Sequence, residues 1–279
     1  MSVIHNDMPM KDYLNHSGLS SSGLTYFAKS PNHYNKYRNG SIRIEGKHLD
    51  LGTAVHCALE SFQKFENEYI VRPEGIDKRT KAGKEAFAEF EASTGAKIIL
   101  DKSEYDKVIA MFNAVAESED ELILSLMESP AKEECSIFWT EQGIEQKCRP
   151  DKLIQANPQA IELMMQRWPH LIDCPFDVTV CLDFKTCQCG SPESWPLTVK
   201  NYSYDLKAAH YLAGTKANLF AWLAIESCPP FNVTLYVMGA NRTERMMQQR
   251  SQLLHEMNVC MESNVWPGYR MTNHNSCID

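Results

Sequence analysis

An aspartate and a lysine close an apolar strand candidate at residues 178–185, which reads VTVCLDFK. Asp183 and Lys185 lie two residues apart, so a β-strand would direct both side chains to the same face of a sheet. The backbone carbonyl of Phe184, between them, is a further oxygen that could bind a metal ion. Hydrolysis of a phosphodiester with a metal ion requires carboxylates that hold the ion and a cationic or basic group beside the attacking water. This short segment therefore carries two of the required chemical groups.

The spacing of an acidic residue two positions before a lysine is weak evidence, because it occurs four times, at 45–47, 145–147, 183–185 and 205–207. We expect the first to lie in a loop and the second on the outer part of a hairpin. The fourth opens a predicted helix, in which residues two apart do not face each other. Only the third ends an apolar run, where two buried charges are costly unless they pair or bind a metal. A structural ion pair at the end of a strand remains the alternative interpretation.

Asp151 and His56 are two further candidates. Asp151 follows a proline near the end of the preceding predicted strand, where an antiparallel or mixed sheet would bring it beside Asp183. The alternative for Asp151 is a simple turn aspartate. His56 lies on the more polar face of an amphipathic helix predicted over 49–65, and Gly52 would let this helix approach the sheet closely. A single histidine on such a face is more often structural, so only its context makes His56 a candidate.

The elements that would position these groups form an α/β pattern. The patterns predict helices at 18–38, 49–65, 204–225 and 243–261, strands at 134–140, 144–154, 178–185 and 231–238, and a turn at 142–143. One of Ser20 to Ser22 would cap the first helix and Pro31 would end it. We expect a helical elaboration with solvated faces at 66–130 and an inserted loop at 155–177, with room for a short helix at 161–167. The whole chain, 1–279, is predicted to be one domain with a central mixed β-sheet flanked by helices.

The composition restricts the class of protein. Hydrophobic residues make up 43% and charged residues 23% of the sequence, as in ordinary globular proteins. No apolar run approaches the roughly 18 residues of a membrane span, and no secretory signal is expected, which predicts a cytoplasmic location with reduced thiols for the ten cysteines. The cysteine spacings match neither a zinc site nor an iron–sulfur cluster. The net charge of −8 argues against a protein that simply coats DNA, but it is neutral for a metal-dependent nuclease.

Six short motifs occur in an order that resembles one family of nucleases. Within about residues 13–240 the sequence contains, in order, GLSSSGL, SPNHY, LGTAVHCALE, KCRPDKLI, LDFKT and YDLKAAHYL. Taken as an ordered set, these motifs are more specific than any one of them. The set resembles the RecE-type (exonuclease VIII-like) exonucleases of the PD-(D/E)xK superfamily. The resemblance implies the α/β core of that superfamily, elaborated by a helical insertion.

The resemblance also implies roles for individual residues. The implied catalytic residues are Lys185, Asp183, Asp151 and His56. The implied metal ligands are Asp151, Asp183, the backbone carbonyl of Phe184 and His56, with two ions of Mg²⁺ or Mn²⁺ expected. Lys185 would orient the attacking water or stabilise the developing charge. Glu134 stands where related nucleases often have an acidic residue and would support the ligands from behind.

The substrate and the partners are likewise implied only by the resemblance. Tyr211 matches a tyrosine that faces DNA in the family, and Lys207 stands where the family usually has glutamine, so both are expected to contact DNA. The implied activity is 5′-to-3′ degradation of one strand of linear double-stranded DNA by a ring-shaped homo-oligomer. It would serve recombination with a single-strand annealing protein in a bacterial or phage-infected cell. The alternatives are an endonuclease of the same superfamily and a catalytically silent DNA-binding or scaffold protein.

Overall fold

A mixed β-sheet with helices on both faces forms the centre of the protein. The computed structural model describes residues 2–42, 47–77, 79–172 and 176–269. Within these ranges the strands form one five-stranded, one three-stranded and one two-stranded sheet. No helix in the same ranges is long and apolar enough to cross a lipid bilayer.

The N-terminal part is mainly helical. Its elements are β1 (Val3–His5), α1 (Met10–Asn15), α2 (Ser21–Lys29), α3 (Pro31–Arg38), α4 (Lys47–Glu60), α5 (Phe62–Glu68), β2 (Tyr69–Val71), α6 (Lys81–Ser93), β3 (Ile98–Leu100), α7 (Lys102–Ala116) and α8 (Glu121–Glu128). The Oγ of Ser20 accepts the N–H of Gly23 at 3.1 Å and caps α2. Ser30 caps α3, which has Pro31 in its first turn. The first predicted helix ends before Pro31, as expected, but Pro31 also begins a second helix, α3, which was not predicted.

The C-terminal part contains most of the strands. Its elements are β4 (Ala131–Glu133), β5 (Ser136–Glu141), β6 (Ile144–Cys148), β7 (Lys152–Gln155), α9 (Pro158–Arg167), β8 (Thr179–Cys187), α10 (Trp195–Asn201), α11 (Tyr204–Thr215), β9 (Leu219–Glu226), β10 (Val233–Val237) and α12 (Ala240–Ser263).

The central sheet has the strand order β10-β9-β8-β7-β4, in which β8 and β9 are parallel and the other neighbours are antiparallel. One face of the sheet packs against α4, α7, α8 and α9, through side chains that include Leu182 and Phe184. The other face packs against α10 and α11, through side chains that include Cys181 and Trp222. This architecture confirms the predicted α/β fold with a central mixed sheet.

The predicted helix at 204–225 is wrong in its second half. α11 ends at Thr215, where Lys216 takes a left-handed φ of 59°, and the chain then forms β9 beside β8. The segment LFAWLAI is apolar at every position, so its periodicity cannot separate a buried strand from a buried helix. Every residue of β9 is buried, because helices cover both faces of the sheet. α10 has no counterpart among the predicted elements.

The turn at Gln142-Gly143 is confirmed, but the strand predicted at 144–154 is two strands. Gln142 and Gly143 both have positive φ, 52° and 78°, as a tight hairpin turn requires. β6 pairs with β5 in the three-stranded sheet, whereas β7 pairs with β8 in the central sheet. The chain changes sheets at residues 149–151, where Pro150 has no N–H to offer a neighbouring strand. This change brings Asp151 to the end of the central sheet.

The short helix predicted at 161–167 within the segment 155–177 is present as α9, but it is longer and one face of it is buried, so the segment is not only an inserted loop. The side chain of Asn157 caps α9 by accepting the N–H of Ala160 at 2.8 Å. Ala160, Ile161 and Met164 are buried in the central core. The helix begins earlier than predicted, because Pro158 lies in its first turn, where proline is tolerated. Residues 173–175 lie outside the described ranges.

The region 66–130 is mainly helical with solvated faces, as predicted, and the inner faces of α7 and α8 also belong to the core. Val108 and Met111 on α7 and Leu122 and Leu126 on α8 are buried in the core cluster on one face of the central sheet. β2 and β3 also pair in parallel within this region. Each of these strands has only three residues, too few for a periodic pattern to reveal it.

α11 approaches the three-stranded sheet most closely at Gly214. A β-carbon built on Gly214 would lie 2.5 Å from the Trp139 ring and 2.9 Å from Sγ of Cys148. One turn earlier, His210 is fully buried and its Nε2 lies 3.0 Å from the carbonyl oxygen of Lys147. Burial lowers the pKa of His210 to about 3, so this histidine is neutral in the folded protein. These contacts fix the position of α11 against the strands.

The substitution Gly214→Ala should therefore lower the free energy of unfolding by about 1–3 kcal/mol, because Trp139 or α11 must move to admit the methyl group. Urea denaturation measures the change. Gly239→Ala is the matched control, since a β-carbon there has no heavy atom within 4 Å and φ is −66°. The control should stay within about 0.5 kcal/mol of the wild type. Equal stability of Gly214→Ala and the wild type would show that the packing relaxes without cost.

Candidate active site

The pairing of β7 with β8 brings two carboxylates together. Lys152 is opposite Leu182 in the antiparallel ladder. Asp151, which precedes Lys152, and Asp183, which follows Leu182, are therefore neighbours at the end of that ladder. Oδ2 of Asp151 accepts the backbone N–H of Phe184 at 2.6 Å, which ties the two strand ends together. The predicted adjacency of Asp151 and Asp183 is confirmed.

Lys185 and His56 each contact one of these carboxylates. Nζ of Lys185 lies 2.5 Å from Oδ2 of Asp183 and donates to the carbonyl oxygen of Phe184 at 3.1 Å. Nδ1 of His56, on α4, lies 3.4 Å from Oδ1 of Asp151. The His56 ring also meets the Phe184 ring edge to face, with centroids 5.7 Å apart. All four residues predicted to be catalytic therefore lie in one place, although their catalytic roles stay predictions.

The two carboxylates respond differently to burial. Burial raises the pKa of Asp183, and the nearby Asp151 carboxylate adds to the rise, although Lys185 opposes it. Burial also acts to raise the pKa of Asp151, but His56, Lys185 and the N–H of Phe184 outweigh it and hold that pKa below its usual range. Asp183 is thus the carboxylate whose negative charge is less well compensated by the protein alone.

The nearby carboxylates raise the pKa of both basic groups. Burial acts to lower the pKa of His56, but Asp151 outweighs burial and the pKa is raised. Burial likewise acts to lower the pKa of Lys185, whereas Asp183 and Asp151 raise it above its ordinary value. A proton on either group is therefore stabilised by the carboxylates that it faces.

The donor atoms suit a hard divalent cation. The two carboxylates and the Phe184 carbonyl are oxygen donors, the type that Mg²⁺ and Mn²⁺ prefer. Lys185 occupies Oδ2 of Asp183, so Asp183 keeps a second oxygen to offer, whereas in Asp151 the N–H of Phe184 occupies Oδ2 and His56 faces Oδ1 at 3.4 Å. Among the described residues, no three His, Cys, Asp or Glu side chains are already arranged as a metal site. Water or phosphate oxygens would complete the coordination, as Mg²⁺ usually requires. Because His56 faces Asp151, its role as a ligand stays a prediction.

Glu134 and Arg149 form a second ion pair close to Asp151. Nε of Arg149 donates to Oε2 of Glu134 at 2.7 Å, and Nη1 donates to Oγ of Ser136 at 3.0 Å. Burial raises the pKa of Glu134; Arg149 opposes the rise and Asp151 adds to it. Glu134 also has a left-handed φ of 48°, which is uncommon for a residue with a side chain. Support of the metal ligands by Glu134 stays a prediction. Sequence reasoning missed Arg149, although it lies two residues before Asp151.

α11 brings Lys207 and Tyr211 to the same region. Nζ of Lys207 lies 5.2 Å from the centroid of the Tyr204 ring, and Nζ of Lys185 lies 5.4 Å from the same ring. Burial lowers the pKa of Lys207, and the neighbouring charge of Lys185 lowers it further. Burial raises the pKa of Tyr211, and Asp183 and Asp151 contribute to the rise. Contact of these residues with a substrate stays a prediction. Tyr204 was not among the candidates.

A cleft of about 540 Å³ opens onto the strand ends. It lies between α2, α4 and α11, and its lining includes His56, Glu134, Asp151 and Tyr211. Gly52 also lines it, but a β-carbon there would lie 3.5 Å from Oγ1 of Thr186, an ordinary contact. α4 does approach β8 at Gly52, as expected, but the approach does not depend on the glycine, because alanine would also fit.

The other acid-x-lysine segments do not form comparable sites. Lys147 is buried and its Nζ donates to the carbonyl oxygens of Tyr13 and His16, so the prediction that 145–147 lies on the outside of the hairpin is wrong. Asp205, at the start of α11, instead pairs with Arg242 at 2.7 Å. The first of the segments begins at residues 45–46, outside the described ranges.

Comparison with known proteins agrees with this geometry. Residues 20–167, just over half of the chain, match the family described as "PDDEXK-like domain of unknown function (DUF3799)". The match includes His56, Glu134 and Asp151, whereas Asp183 and Lys185 lie beyond it. No functionally curated protein matches the sequence.

Solved structures with a similar fold include one described as a "putative exonuclease" from Eubacterium rectale. The two sequences are 13% identical, and the TM-score is 0.59. The structural match covers 98% of this chain and 95% of that chain. At this identity the similarity concerns the fold alone. The structure of the protein SSO0001 is also 13% identical, over 80% of this chain and 98% of that one, but its TM-score of 0.28 is too low to support an argument. The family match over more than half of the sequence has more weight: this chain belongs to the PDDEXK-like family, and its fold is that of the PD-(D/E)xK nuclease superfamily.

Proposed function

We propose that this protein is a metal-dependent DNA exonuclease of the RecE type. It would degrade one strand of linear double-stranded DNA from 5′ to 3′ and leave single-stranded tails for recombination by strand annealing. The observation that carries the proposal is the meeting of Asp151, Asp183 and Lys185 at the adjoining ends of two strands of the central sheet. The direction and the DNA substrate rest on the ordered motifs of the sequence.

The residues of the cleft have distinct tasks in this proposal. Asp151, Asp183 and the Phe184 carbonyl would hold Mg²⁺ or Mn²⁺, and such an ion supplies Lewis-acid stabilisation of the charge that develops on the phosphate. Lys185 directs an ammonium group at the same point and stabilises that charge or holds the attacking water. His56 fixes the orientation of the Asp151 carboxylate through their contact at 3.4 Å. Lys207 and Tyr211 would contact the DNA backbone from α11.

The assembly and the partners are part of the same proposal. A ring-shaped homo-oligomer around DNA would let basic groups face a central channel while the outer surface carries the acidic excess of a chain with net charge −8. The single-stranded tail would pass to a single-strand annealing protein. Two metal ions per site are proposed, since a pair of ions can stabilise both the attacking and the leaving oxygen.

The topology of the DNA substrate separates this proposal from its alternatives. With Mg²⁺, the protein should degrade linear duplex DNA and leave covalently closed circular DNA intact, and a 5′-terminal label should be released before a 3′-terminal one. Agarose gels and release of acid-soluble label measure both. Cutting of the closed circle would indicate an endonuclease of the same superfamily. No cutting of either DNA would indicate a silent DNA-binding or scaffold protein.

Metal binding can be tested without DNA. Mn²⁺ at about 100 times its dissociation constant should stabilise the wild type by about 2.7 kcal/mol, visible as a rise in Tm of several degrees. Asp183→Asn should lose most of this rise. Asp205→Asn is the matched control, because Asp183 and Asp205 are equally buried, at 8% exposure, and both belong to a D-x-K segment. The same rise in all three proteins would exclude Asp183 as a metal ligand.

The role of Lys185 is tested by separating cleavage from binding. Lys185→Ala should slow single-turnover cleavage by a factor on the order of 10² or more and change DNA affinity only a few-fold, because the charge acts mainly on the transition state. Lys107→Ala, at an exposed position of α7, is the control and should behave as the wild type. Unchanged cleavage by Lys185→Ala would mean that the lysine serves only as the ion-pair partner of Asp183.

A further inference from the structure

An exposed aromatic ring lies at the turn between α10 and α11. Tyr202 is 62% exposed, and its ring stacks on that of Tyr204 with centroids 5.5 Å apart and an angle of 23° between the planes. The Tyr204 ring lies 6.2 Å from Trp195, which in turn stacks on Tyr236 at 5.3 Å and 12°. Trp195 is almost fully buried. The exposed ring is therefore the outermost member of an aromatic row that is anchored in the core.

This aromatic row passes beside the candidate active site. The Tyr204 ring is 5.4 Å from Nζ of Lys185, the lysine that pairs with Asp183. Its centroid is also 5.2 Å from Nζ of Lys207. One aromatic ring thus separates the exposed face of Tyr202 from the groups that we assign to phosphodiester cleavage. Through the Tyr204 ring, Tyr202 therefore lies near Lys185, close enough for both to contact neighbouring parts of one DNA strand.

The backbone between the two tyrosines is strained. Ser203 has φ 52° and ψ 39°, the left-handed region that costs energy for a residue with a β-carbon. Its N–H donates to the carbonyl oxygen of Lys200 at 3.2 Å, and its own carbonyl accepts the N–H of Lys207 at 3.1 Å. The first hydrogen bond ends α10, and the second begins α11. The tight turn holds the ring of Tyr202, just after α10, against the ring of Tyr204, at the start of α11. Tyr202 is therefore presented in a defined orientation.

Two lysines lie close to Tyr202 in the chain. Lys200 is exposed, and neither Lys200 nor Lys207 has an ion-pair partner among the described residues. The acidic residue of α11, Asp205, is neutralised by Arg242, whose Nε and Nη2 donate to Oδ2 at 3.0 and 2.7 Å. One exposed acidic residue, Glu193, precedes α10, so the lysines outnumber the unpaired acids of this segment. A net positive charge beside an exposed ring is complementary to a nucleic-acid strand, which presents phosphates next to flat bases.

We propose that Tyr202 is a stacking platform for an unpaired base of the DNA strand that enters the cleft, with Lys200 and Lys207 holding the flanking phosphates. This inference rests on the proposed nuclease function and specifies how that site holds its substrate. Stacking accepts every base, since each base has a flat face, so the platform suits digestion without sequence preference. It also requires the base to leave its partner, so it would hold the frayed end of a duplex in preference to an intact pair.

The test measures binding to the bases apart from binding to the backbone. The probes are a fluorescent twelve-residue oligothymidylate and an abasic strand of equal length, each titrated with the full chain in EDTA to prevent cleavage. Tyr202→Ala should weaken oligothymidylate binding by about 5- to 150-fold, the range expected for one stacked base, and leave abasic binding unchanged. Tyr202→Phe should bind as the wild type, because stacking needs the ring and not the hydroxyl.

Tyr269→Ala is the matched control, since Tyr269 is 63% exposed and its ring lies against His33 at the other end of α12. It should leave both affinities unchanged.

Unchanged binding of oligothymidylate by Tyr202→Ala, or an equal loss for the two probes, would overturn the platform. A lower molar mass of Tyr202→Ala in analytical ultracentrifugation would also overturn it and assign Tyr202 to a contact between copies of the chain. No binding of either probe by the wild type would also overturn the platform but not the nuclease proposal, because EDTA removes the metal ion that is part of the proposed site. Binding of oligothymidylate without cleavage of linear duplex DNA in Mg²⁺ would refute only the proposed catalysis.

Discussion

The repulsion between two buried carboxylates is the constraint on which the candidate site depends. Asp151 and Asp183 are neighbours at the end of one strand ladder, where like charges in a medium of low polarity cannot both persist without compensation. The protein supplies partial compensation: Lys185 contacts Asp183, while His56 and a backbone N–H contact Asp151. The compensation is unequal, because the pKa of Asp151 falls and that of Asp183 rises. A divalent cation would neutralise the negative charge that the protein leaves uncompensated at Asp183. This is the physical reason to expect a cation at this site.

Neighbouring strands and helices hold the two strand ends in place against the repulsion between Asp151 and Asp183. β8 pairs with β9 over residues 180–187 and with β7 over residues 179–182, so Asp183 cannot turn away from Asp151 without breaking its pairing with β9. α4 covers one face of the sheet and carries His56, whereas α11 covers the other and carries Lys207 and Tyr211. The close packing at Gly214 and the neutral, buried His210 hold α11 in its place. A substitution far from the cleft can therefore alter the cleft by displacing this helix.

The parts of the structure that follow a local rule could be predicted from the sequence. The pair Asp183 and Lys185 is recognisable because an apolar strand directs residues two apart to one face, and the hairpin turn because Gly143 tolerates a positive φ. β9 could not be identified as a strand, because a segment that is buried on both faces shows no alternation of apolar and polar residues. The break at 149–151 also escaped prediction: only the pairing of β7 with β8, a contact between distant segments, shows that one apparent strand belongs to two sheets. Arg149 and Tyr204 were missed for the same reason, since their importance comes from neighbours that are remote in sequence or across a turn.

The distribution of charge explains how an acidic chain can still suit a nucleic acid. The net charge of −8 is a sum over the whole sequence, whereas a DNA strand meets only the groups within about one Debye length of its path, roughly 8–10 Å at moderate salt. Along α10 and α11 the acidic residue is paired with Arg242, and Lys200 and Lys207 are not neutralised by any described carboxylate. Exposed acidic residues also occur elsewhere, for example Glu89 on α6 and Glu104 on α7. In the proposed function, the local basic groups would direct a DNA strand to the surface that carries the candidate catalytic residues, despite the acidic total.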